Sequence, residues 1–200
     1  MTAAPAGLRR AAQLVALANL AYFVIEIIVA TRIGSVALFA DSMDFLEDAT
    51  VNLLVLMALG WSVRRRAWWG AILAAVLLAP GVAALWTVWD KLTVPAAPAP
   101  VPLSLTGLGA LLVNFGCALT LARWRRTGGS TARAAFLSAR NDVAASVAII
   151  ASGAAVAWTH SFWPDVVVGL GTLAMNLDAA REVGLAARRE RHAADEGGPP

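Results

Sequence analysis

Apolar residues in this chain run in blocks too long for the core of a soluble domain, with polar residues confined to short stretches between them. A helix that crosses a bilayer needs about 20 mostly apolar residues. Six segments reach that length, at approximately 11–31, 35–61, 68–90, 103–123, 134–158 and 163–184. The pattern predicts an all-α, polytopic membrane protein built as a six-helix transmembrane bundle. The first block follows Arg9–Arg10 and imitates a secretory signal. It is too long for a signal core, lacks a small-residue cleavage site and is interrupted by Glu26, so it reads as a retained helix.

The breaks between blocks agree. Asp90 to Pro102 (DKLTVPAAPAPVP) reads as a Pro/Ala-rich linker without helix, and RRTGGSTA as a short flexible loop. Pro80–Gly81 marks a kink in the third span. The chain therefore divides into a short N-terminus (1–10), a six-span membrane domain (11–184) and a polar, disordered tail (185–200).

Composition sharpens this picture. Hydrophobic residues make up 59% of the chain and charged residues 14%, where about 25% charged is usual for a globular domain. The net charge of +3 does not signal a nucleic-acid partner, because the arginines lie in short clusters between apolar runs. Their placement sets the topology instead. Arg9, Arg10, Arg64, Arg65, Arg66, Arg123, Arg125, Arg126, Arg133, Arg181, Arg188, Arg189 and Arg191 fall on one side, and only Arg32 and Lys91 on the other. Lys/Arg enrichment marks the cytoplasmic side, so both termini are expected inside. The eight Trp fall near span ends, as interfacial anchors do. The single Cys117 excludes an internal disulfide framework and a cysteine-rich zinc site.

The chemistry lies in acids that the hydrocarbon should not tolerate. An intramembrane acid costs a few kcal/mol and usually faces a cavity or a partner. Asp41, Asp44 and Asp48 in the second span are spaced three and four residues apart, which stacks them on one helical stripe with Glu47 at its edge. Such a stripe calls for a cation or protons to balance it. In the fifth span Asp142 follows Ser138 by one helical turn, with Arg140 and Asn141 beside it. Asp44, Asp48 and Asp142, with the Ser138 hydroxyl, could surround one divalent ion. Oxygen ligands of this kind suit Mn²⁺ or Mg²⁺, whereas Zn²⁺ prefers His and Cys. Helix capping or pairing with Arg140 is the plainer alternative, but a cap needs one acid and the stripe holds four.

Other polar residues carry less. Glu26 reads either as a cavity-lining group or as a helix-packing acid, and Asn19, Asn52, Asn114 and Asn176 as interhelical hydrogen-bond donors. Asp178 is placed to pair with Arg181, Cys117 to pack among small residues, and His160 and His192 lack metal-spaced partners. No phosphate-binding loop, nucleophile elbow or HExxH stretch occurs, so an enzyme finds no support and no cofactor is implied.

GSVALFADSMDFLEDATVN resembles the second-span signature of the cation diffusion facilitators, and SARNDVAASVAII is similar to their fifth span. Glu26, Asn114 and Pro164–Asp165 also fall where that family commonly has such residues, and the likeness covers about residues 10–185. The resemblance implies a metal site of Asp44, Asp48, Ser138 and Asp142, with Glu26, Asp41, Glu47, Asn141 and Asn114 as further cavity residues. Ser138 stands where the family usually has His or Asp, and the chain ends after the sixth span, which implies a short form without the cytoplasmic domain. The implied function is secondary export of a divalent cation (Mn, Fe, Co or Zn) in exchange for protons. The alternative is a non-transporting relative that binds metal or a partner. The expected surroundings are a lipid bilayer, specifically a bacterial plasma membrane suggested by the Ala-, Arg- and Trp-rich composition. The expected assembly is a homodimer held through membrane helices.

Overall fold

The computed structural model describes residues 6–58, 82–123 and 129–175, all but a few turns of them helical. The helices are α1 (Ala6–Ile33), α2 (Val36–Ala58), α3 (82–93), α4 (Pro100–Ala122), α5 (Gly129–Thr159) and α6 (Trp163–Met175). Arg9–Ile33, Pro100–Ala122 and Arg140–Thr159 are long and apolar enough to cross a membrane. The α2 helix, 23 residues long, carries four acids, Asp41, Asp44, Glu47 and Asp48. The Pro80–Gly81 kink, Asn176, Asp178 and the tail lie outside the described residues.

Two boundaries differ from expectation. The α3 helix runs on to residue 93 and α4 already starts at Pro100, leaving six residues, 94–99, as the linker. Proline lacks an amide donor, but the first turn of a helix needs none, so Pro100 and Pro102 start a helix instead of preventing one. Likewise α5 starts at Gly129, inside the stretch read as a loop, where Gly, Ser and Thr suit a helix start. Asp142 therefore lies about three and a half turns into α5.

The bundle is assembled from two tight pairs, α1 on α2 and α4 on α5, joined by α1 against α4. Lipid gives helices little hydrophobic reason to associate, so close packing and polar bonds must do it. Both are present. The Tyr22 hydroxyl of α1 donates to the Thr106 carbonyl of α4 at 2.5 Å, and its ring tilts against Phe45 of α2 with centroids 5.0 Å apart. At Gly107 an added Cβ would meet Ile149 Cγ2 at 2.8 Å, so α4 and α5 approach there because no side chain intervenes.

Ala30, Ala37, Leu38, Leu103, Ile149 and Val156 form the largest buried apolar cluster among the described residues. Cys117 packs with Val15, Ala118 and Leu121, the packing role expected of it. Large apolar side chains such as Leu14, Leu112 and Phe115 point outward, as they must in lipid, and Trp158 and Trp163 are exposed at helix ends, Trp86 and Trp89 along α3.

The α1–α2 turn sets the axial position of the acid stripe. Gly34 adopts φ +62°, and the Ser35 amide reaches back to the Ala30 carbonyl at 3.0 Å, closing α1 with a Schellman turn. Ser35 then caps α2 by accepting from the Leu38 amide at 3.1 Å.

Candidate metal centre

The acids of α2 begin six residues after its cap. Asp41 is fully buried, and Asp44, Glu47 and Asp48 are half-buried. Asp142 of α5, also half-buried, comes within hydrogen-bonding range of Asp48 and within electrostatic reach of Asp41, Asp44 and Glu47. The second and fifth helices thus bring Asp142 up to Asp48, with Asp44 within electrostatic reach but not gathered with them. The backbone of Ser138 belongs to α5, while its side chain lies outside the described residues. Among the described residues, no three His, Cys, Asp or Glu side chains gather as a ready metal cage.

Several neutral groups hold these acids. Asn19 donates from α1 to Asp48 Oδ2 at 3.4 Å, and the Cys117 thiol donates to Asn19 Oδ1 at 3.6 Å. Asn52 donates to the Asp48 carbonyl one turn back. On the other side, Asn114 of α4 donates to the Ser146 hydroxyl at 3.1 Å, which in turn donates to the Asp142 carbonyl at 2.8 Å. Asn114 and Asn19 are therefore interhelical hydrogen-bonding residues, and Asn19 also touches the site. Asn141 and Arg140 are exposed.

Glu26 lies deeper in the packing. It and Asp41 are both 0% exposed, and their carboxyls face each other at hydrogen-bonding range. Two ionised carboxyls have no proton to offer, and all four oxygens stand without a donor. Burying such groups unsatisfied is expensive, so the pair marks a place where a proton or cation is wanted.

Asp165 is the residue whose role the sequence did not disclose. From the first turn of α6 it accepts three hydrogen bonds at the start of α2: from the Ser35 hydroxyl at 2.6 Å, the Val36 amide at 2.8 Å and the Ala37 amide at 3.2 Å. Capping signals are local in sequence, and this cap comes from a residue 130 positions away.

Helical pairs that present opposed acids within an apolar bundle can pass a cation, and the sequence family agrees. The cation efflux transmembrane domain matches residues 12–190. The chain belongs to the cation efflux family. It is an integral membrane protein and a cation transporter of the cation diffusion facilitator kind, and its surroundings are lipid and metal ions. Compared with curated proteins, the sequence finds no match.

Proposed function

We propose that this cation efflux protein exports a divalent metal ion, Mn²⁺, Fe²⁺, Co²⁺ or Zn²⁺, across a bacterial plasma membrane in exchange for protons. Asp44, Asp48, Ser138 and Asp142 hold the ion, and Asp41, Glu47, Glu26, Asn141 and Asn114 line its path. The observation that carries this reading is the approach of Asp142 to Asp48 across α5 and α2, two acids that repel unless something positive lies between them. A metal ion and protons compete for the same oxygens. Binding M²⁺ displaces the protons held there, and protons entering from outside help release it. The Glu26–Asp41 pair supports proton coupling, because one shared proton supplies the hydrogen bond that both carboxyls lack. Helices rocking about a fixed midplane site would give alternating access.

The test is metal flux into proteoliposomes carrying an internal pH dye. Flux of at least one of Mn²⁺, Fe²⁺, Co²⁺, Zn²⁺ or Cd²⁺ with counter-movement of protons is expected; no flux with any of them overturns the proposal. A second reading, a non-transporting metal binder, is favoured by the lack of a ready cage among the described acids. Ser138→His separates the two: transport gained only in that variant supports the second reading. We also propose a homodimer held by membrane-embedded surfaces, to be sought by mass measurement in lipid nanodiscs.

A further inference from the structure

We propose that Asp165, with Ser35 and Lys91, is a clasp that closes the bundle at the end assigned to the outside by the arginine bias, and that this clasp opens when the cation leaves; the inference rests on the transport reading above.

Four pieces of chain meet at this end. Asp165 brings the first turn of α6, Ser35 and the Val36 and Ala37 amides bring the turn and start of α2, and Lys91 brings the last turn of α3. Lys91 Nζ donates to the carbonyl of Gly34, the residue before Ser35. Burial lowers the Lys91 ammonium from its ordinary value, while Asp165 and Asp90 pull it the other way. Asp165 and Ser35 are each 0% exposed. Val36, Val88 and Val166 seal the cluster, with Phe162 packed on it.

Position gives the clasp its consequence. Ala37 lies four, seven and eleven residues before Asp41, Asp44 and Asp48, on the same helical stripe. At about 1.5 Å per residue, the clasp stands about 6 Å above Asp41 and about 16 Å above Asp48. In the proposal, a cation leaving the acids outward along α2 passes the start of that helix, where Asp165 joins α6 to it.

The chemistry of the clasp also suits opening. Apolar packing alone would expose greasy surface to water on separation. A carboxylate, a hydroxyl, an ammonium and free helix amides each recover hydrogen bonds from water when the gap fills, so closed and open arrangements lie near each other in free energy. Lys91, donating to the Gly34 carbonyl, ties α3 into the same cluster.

The experiment uses the full chain in sealed vesicles, with Cys117→Ala removing the native thiol and Ala37→Cys as reporter. A membrane-impermeant thiol reagent is applied from either side, and metal flux is measured in parallel. Asp165→Asn keeps the shape and one acceptor oxygen but loses the charge; Ser35→Ala and Lys91→Gln weaken the other two arms. Each is expected to raise labelling from the outside, about tenfold for Asp165→Asn, the factor that one net hydrogen bond represents. Labelling from the inside should change little, and the melting temperature should fall by no more than about 3–6 °C, the shift that one lost hydrogen bond represents. Outside labelling no faster than in the parent overturns the clasp. So does labelling that rises equally from both sides with a melting temperature lowered further than that, which marks Asp165 as a stability cap only. Outside labelling that rises while the parent moves no metal keeps the clasp and overturns the transport reading instead.

Discussion

Two glycines in α6, two residues apart, should respond in opposite ways to the same substitution. An added Cβ at Gly169 would lie 2.7 Å from Val36 Cγ1, 2.8 Å from the Val36 carbonyl carbon and 2.9 Å from the Ala37 amide nitrogen. At Gly171 it would meet nothing within 4 Å. Carbon atoms in contact prefer about 3.5–4.0 Å, so Gly169→Ala forces α6 and α2 apart by about 1 Å. Two of the three obstructing atoms are backbone, in the turn that Asp165 holds by hydrogen bonds, so no rotamer change relieves them. Overpacking of this kind costs about 1–3 kcal/mol. Both variants gain the helix-propensity advantage of Ala over Gly, up to about 1 kcal/mol, and it cancels between them. For a chain of this size 1 kcal/mol moves the melting temperature by about 2–4 °C, so Gly169→Ala should melt about 5 °C below Gly171→Ala. The eight tryptophans supply the signal for thermal unfolding in detergent micelles. Adding Val36→Ala to Gly169→Ala should recover only part of the loss, because it removes one obstructing atom and leaves the backbone. A Gly169→Ala protein that melts at or above Gly171→Ala refutes the close contact between α6 and α2.

Three further outcomes are expected. Asp142→Ala and Asp48→Ala should each abolish metal flux in proteoliposomes while leaving helix content by circular dichroism unchanged, and Asp48→Ala should also flatten a divalent-metal titration of the purified protein. Asn114→Ala should cost about 1 kcal/mol of stability through the lost bond to the Ser146 hydroxyl, read as a small fall in melting temperature. Gly34→Val, which places a β-branched residue at φ +62°, should cost about 1–3 kcal/mol, against little change for a conservative substitution at exposed Leu14 measured alongside.

The acidic stripe was legible because helical periodicity is a local property. Spacings of three, four and seven residues bring Asp41, Asp44 and Asp48 to one side of α2 whatever surrounds it, and the intramembrane cost of acids marks them as functional. The six spans were legible for a related reason, since a bilayer demands about 20 apolar residues and satisfies backbone groups only within the helix. Helix ends were read less well. Pro100 looked like a breaker, yet its position in a first turn made it a starter.

What pairs with what is a different kind of fact, and the tertiary structure decided it. The Asn19–Asp48 and Asn114–Ser146 bonds join helices whose relative rotation no single segment encodes. The apposition of Glu26 and Asp41, both buried without a donor, depends on α1 and α2 packing at one particular register. Asp165 is the clearest case, for nothing near residue 165 calls for a capping acid and nothing near residue 35 supplies one. The demand arises from the free amides at the start of α2, and a residue 130 positions away meets it because chain folding brings α6 there. Sequence pattern reports what a segment needs from water, lipid and its own turns; only packing determines which distant side chain answers that need.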